Sequence, residues 1–161
     1  MVRTSWVPLL ILSGLALSPL LQAADSGDRV SGDRVHYIGG TLAQLPGKSE
    51  GRIQTTDSDV LLFESKGAAV RVPYRDINVV EYGQRVDRRY LEAILISPLL
   101  LLSKKRTHFL TVGYQDQDGH QQAMVFQVNK SDVRSLLVSL EARTGRKIEF
   151  QDEEARKAGK G

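Results

Sequence analysis

The chain contains no cysteine. Disulfides, thiolate nucleophiles, cysteine-held zinc and a lipid carried on a cysteine are thereby excluded. Histidine is scarce as well. His36, His108 and His120 are the three present, and no pair has the HxH or HxxxH spacing that would turn two ring nitrogens toward one metal ion. A nucleophile elbow, a phosphate-binding glycine loop and a dinucleotide fingerprint are all missing. The short-range acid pairs Asp57/Asp59 and Asp116/Asp118 fall in turn-like stretches, where carboxylates usually bond local amides, and neither stretch has the EF-hand loop. No catalytic, cofactor-binding or metal residue is assigned, and the chain is expected not to be an enzyme. An unrecognised small hydrolase remains the least favoured reading.

A strong excess of either charge is also lacking. The chain carries 22 Lys and Arg against 19 Asp and Glu, a balance that does not point to nucleic acid as a partner. Long apolar runs occur in two places only. The first is N-terminal: Arg3, an apolar stretch from Val7 to Leu21, then Ala23 and Ala24 before Asp25. This is the layout of a secretory signal peptide over 1–23, cleaved near Ala23, and it implies export to the periplasm or beyond. The alternative is an inner-membrane anchor over 6–24, a poor spanning helix because Pro8 and Pro19 interrupt it. Residues 24–34 read as a flexible leader, with SGDRV occurring twice in succession.

From Val35 the pattern becomes short extended runs separated by turn residues: VHYIGGTLAQL, GRIQTT, VLLFES, AAVRVPY and INVVEYG. HFLTVGY and QAMVFQV then flank QDQDGHQ, where Asp118-Gly119 signals a hairpin. About seven strands at this spacing predict an antiparallel barrel or sandwich. One helix follows. Asn129 or Ser131 is positioned to cap it, Val133, Leu136, Leu137 and Leu140 recur at i, i+3, i+4, i+7, and Gly145 can end it. The tail 151–161 is polar and reads as frayed.

Strands followed by a single C-terminal helix is the element order of pleckstrin-homology-like domains. VPYRDINVVEYG resembles the strand, proline, Asp-Ile turn and further strand of bacterial members and of the related GRAM modules. The stretch from KKRTHFLTVGY through VFQVNKSDVRSLLVSLEARTGRKIEF is similar to small exported bacterial proteins of unassigned function, in which an apolar insert also precedes Lys-Lys-Arg. The resemblance covers residues 35–150, with the insert at 87–106. It implies a mainly β fold: a bent antiparallel barrel with one end plugged by the helix. It also implies a platform for lipid headgroups or peptides, without catalysis. The basic phosphoinositide-binding loop of the eukaryotic members has no counterpart here.

The second apolar run lies inside that insert. Ile94, Leu95, Ile96, Leu99, Leu100, Leu101 and Leu102 fall within nine positions. Removing each from water is worth about 1.5–3 kcal/mol, roughly 10–20 kcal/mol together, against a net stability of about 5–15 kcal/mol for a typical protein. The run must therefore be dry. It is too short to span a bilayer, and Pro98 disfavours helix at Ser97. Three homes are open: the domain's own core, an anionic membrane surface met by Arg88, Arg89, Lys104, Lys105 and Arg106, or a subunit contact in a homo-oligomer. The expected function is a non-catalytic exported binding or scaffold module of the bacterial envelope, peripheral to the membrane through 90–106. The alternative is a self-associating interaction protein that buries the insert between subunits. A membrane surface or a protein partner is expected, and no cofactor.

Overall fold

Alternation of buried and less buried side chains runs through the extended segments 60–65 and 68–73, whereas 108–115 and 121–128 are buried at most successive positions. In the computed structural model, which describes residues 32–42, 45, 47–87 and 107–160, eight strands form one sheet. The strands are β1 (Asp33–Gly40), β2 (Ser49–Gln54), β3 (Val60–Ser65), β4 (Ala68–Pro73), β5 (Ile77–Gly83), β6 (His108–Gln115), β7 (Gln121–Val128) and β8 (Glu149–Phe150). Their order is β4-β3-β2-β1-β7-β6-β5-β8. Two antiparallel meanders, β1 to β4 and β5 to β7, are thus joined where β1 pairs β7, with Val35 opposite Val128 and Tyr37 opposite Phe126. β8 is the exception, running parallel to β5.

The sheet is open, which corrects the expected barrel. β5 cannot close onto β4, because its outer edge is taken by Glu149 and Phe150. The chain passes from β4 to β5 through a 3₁₀ turn, Tyr74–Asp76, tied down by the bond from Tyr74 N–H to the Asp59 carbonyl at 2.9 Å. The strand count also rises to eight, since KIEF contributes the short β8. β1 begins at Asp33, two residues before the expected domain start, and Arg52 donates to the Gly32 carbonyl at 3.1 Å.

One face of the sheet holds the main core. Tyr37, Phe63 and Phe126 cluster there with ring centroids 4.9–5.8 Å apart, and Val70 and Val72 join them while Arg71 points outward. Helix α1 (Val133–Thr144) lays Val133, Leu136, Leu137 and Leu140 on this face, all buried as their spacing predicts. It ends at Gly145 with φ 66°, where the left-handed conformation lets the Gly145 N–H reach the Glu141 carbonyl. Its start differs from expectation. Asp132 precedes the helix, and neither Asn129 nor Ser131 caps it through the side chain; instead the Asn129 carbonyl accepts the N–H groups of both Asp132 and Val133.

A second helix corrects the frayed tail. In α2 (Glu153–Lys160), Asp152 Oδ1 accepts the Ala155 N–H at 2.5 Å, Ala155 is buried, and Gly159 sits against Phe150 and Leu137. Small residues let this polar segment approach closely; a Cβ on Gly159 would lie 2.6 Å from the Phe150 ring.

Part of the other face, around β7, β6 and β5, is dry too. Ile38, Val86, Phe109, Ala123 and Val125 form a second buried cluster, with Val79 packed against it. Val125 is 0% exposed and Phe109 4%, although no described helix contributes to the cluster. Two polar residues are buried among these strands, Glu81 and its register partner Thr111. The Gln151 side-chain amide donates to Glu81 Oε1. Among the described residues, no helix is long and apolar enough to cross a membrane.

Candidate functional site

The sheet has two ends, and they differ in chemistry. At one end is the β6–β7 hairpin. Its turn carries Gly119 at φ 81°, and Asp116 organises it, with Oδ1 accepting the N–H groups of Asp118 and His120 and Oδ2 accepting the Gln122 amide at 2.7 Å. These bonds hold the Asp116 carboxyl below its usual range, the Gln122 contact contributing most. Asp116, Asp118 and His120 bring three potential metal-ligand atoms within 4.8 Å of one another. Both Asp116 oxygens are already engaged in shaping the turn, so the cluster reads as hairpin architecture. Asp57 does the same for the β2–β3 turn, accepting the Asp59 and Val60 N–H groups.

At the opposite end lies a cavity of about 940 Å³. It opens where β5 leaves the sheet, β6 enters it and β7 turns into α1. Gln84 and Thr107 stand on its wall, the residues near which the chain departs into and returns from 88–106. Three cations reach it from three places: Lys130 from the β7–α1 turn, Arg134 from α1 and Lys157 from α2. Ser131, Asn129 and Gln127 add polar groups, and Glu154 is the one carboxylate among the described lining residues. Of those residues, Val128 and Ala158 contribute the apolar wall.

His108 is the best-fixed member. Its ring is stacked on that of Tyr82, interplanar angle 6°, and its Nδ1 lies 2.6 Å from the Tyr82 hydroxyl. Tyr82 is fully buried, and burial raises its pKa to about 12, so the phenol keeps its proton. A buried hydroxyl needs an acceptor, and Nδ1 is the one at hand. With the phenol as donor, the neutral imidazole carries its proton on Nε2. Burial, with the Lys130 charge second, lowers the His108 pKa, which favours this neutral form.

The other histidines stand apart. His36 is exposed on β1, 3.8 Å from Glu50, and His120 is exposed on the hairpin. The candidate contact residues Arg88, Arg89, Ile94, Leu95, Ile96, Leu99, Leu100, Leu101, Leu102, Lys104, Lys105 and Arg106 lie outside the described residues, as do segment 1–23, expected to be a signal peptide, and most of the expected leader 24–34. Sequence inspection missed the cavity and the Tyr82–His108 pair. Tyr82 and His108 are 26 positions apart, on either side of the insert, and only the β5–β6 register joins them. No protein-family model matches this chain, and no curated protein does either.

Proposed function

We propose that the chain is a non-catalytic binding module of the bacterial envelope, exported by its N-terminal segment and peripheral to the membrane through residues 90–106. Pleckstrin-homology-like architecture suits this role. The order β4-β3-β2-β1-β7-β6-β5, followed by a helix on the main core, supports that kinship. One observation carries the functional reading: the cavity opens beside Gln84 and Thr107, the chain neighbours of the insert, and Lys130, Arg134 and Lys157 line that same cavity. A cation-rich end of this kind suits an anionic surface.

The second buried face favours a division of labour within the insert. Val86 and Phe109, which bracket 88–106 closely, both belong to that cluster. On this reading the leucines of 94–102 complete the dry face, and Arg88, Arg89, Lys104, Lys105 and Arg106 meet the headgroups.

Co-sedimentation with phosphatidylcholine vesicles doped with phosphatidylglycerol tests both parts. Replacing Lys104, Lys105 and Arg106 by Gln should weaken binding by about tenfold or more, at about 1 kcal/mol per cation near an anionic surface, and leave thermal stability unchanged. Changing Leu99 to Leu102 to Ser should lower stability first. Equal vesicle binding by the wild type and the Gln variant would refute the membrane contact. A stable Ser variant that no longer binds would move the leucines into lipid. The self-association alternative predicts a dimer by light scattering in detergent-free buffer, whereas the module reading predicts a monomer.

A further inference from the structure

The cavity at the His108 end can be given a ligand class. Most of its described lining residues are polar or charged, and Val128 and Ala158 are the apolar ones among them. What remains is a set of donors. Lys130, Arg134 and Lys157 are all exposed, and none makes an ion pair among the described residues. Three like charges brought to one cavity by three separate elements repel one another, and an anion between them removes that cost. Around them stand hydroxyls at Thr107 and Ser131 and a neutral imidazole whose Nε2 proton is fixed by the Tyr82 hydroxyl on the other nitrogen.

Donors that approach from several sides suit a group with several acceptor oxygens. A planar carboxylate offers two oxygens and uses few of them; a phosphate offers three or four and can engage two lysines, a guanidinium and a ring N–H at once. The volume, about 940 Å³, is far larger than a bare phosphate ion needs and leaves room for an organic body attached to it. Glu154 on the wall limits how much negative charge the site tolerates.

We propose that this cavity binds an organic phosphate, with the phosphoryl oxygens held by Lys130, Arg134 and Lys157 and a further oxygen by the His108 Nε2 proton. This deepens the binding-module reading and rests on it. The site lies at the end of the strands opposite the β6–β7 hairpin, beside the insert. Both a glycerophospholipid headgroup and a soluble organophosphate offer this chemistry, and the test separates them.

Glycerol phosphate titrated into the purified protein should shift the amide resonances of 107–108 and 130–134, while uncharged glycerol leaves them in place. The Arg134→Gln/Lys157→Gln double variant alters exposed positions and should keep its thermal midpoint. It should bind glycerol phosphate at least about tenfold more weakly for each cation lost, as expected for charge-assisted hydrogen bonds. Arg71→Gln, a cation removed from exposed β4, should bind as the wild type does. Binding of glycerol phosphate alone identifies a soluble ligand. Binding of phosphatidylglycerol vesicles, lost in the double variant, identifies a lipid headgroup. If the double variant binds both probes as tightly as the wild type, or the shifts fall elsewhere, the phosphate site is refuted; vesicle binding that persists in that variant leaves the module reading standing. No binding to either probe overturns both.

Discussion

His108 is the residue on which the chemistry of the cavity turns. Its pKa is lowered by burial and by Lys130, while Glu154 and Asp152 pull the other way; Tyr82 is its hydrogen-bond partner. In an unfolded chain the ring would titrate at its ordinary value, so between that value and the lowered one the unfolded state binds more protons. The stability that His108 contributes is therefore complete above the ordinary histidine range and is lost as pH falls through the lowered pKa. Replacing Lys130 by Gln should move the His108 titration midpoint upward, read from ring resonances during a pH titration. A midpoint that stays put would show that Lys130 does not face the ring. Single residues with a local job were legible in the sequence: Gly145, Asp118-Gly119 and the turn aspartates each act on backbone within a few positions. The Tyr82–His108 pair was not, because its geometry is a product of strand register.

Elements followed the same division. Strands and α1 were readable because alternation and the i, i+3, i+4, i+7 spacing report directly on which side is dry. Helix α2 was hidden by its composition. Its buried contacts come from Ala155 and Gly159, residues that hydropathy does not mark, and its capping signal is Asp152. Ending the chain after Asp152 would uncover Leu137 and Phe150 and remove Lys157 from the cavity. The loss should be on the order of 1–3 kcal/mol in a urea titration, with the β-sheet circular dichroism retained. An unchanged midpoint would mean that α2 is a passenger. The barrel expectation failed at this scale as well. Seven of the eight strands were evident, but closure depends on which strand claims the free edge of β5, and two residues of KIEF do so.

For the molecule as a whole, the sheet is dry on both faces around β7, β6 and β5, and its two ends are unlike. One end is a hairpin stitched by its own carboxylate; the other gathers cations, a proton-fixed imidazole and both boundaries of the insert. Cations scattered at 130, 134 and 157 carry no signature in a linear chain, so this polarity emerges only when the meanders and the two helices are assembled. On the proposed function, the working surface is the His108 end. Amide hydrogen exchange with and without phosphatidylglycerol-doped vesicles measures that most directly. Added protection should fall on 84–87, 107–108 and 129–134, leaving 116–120 unaltered. Protection confined to the hairpin end, or none at either end, would contradict the account.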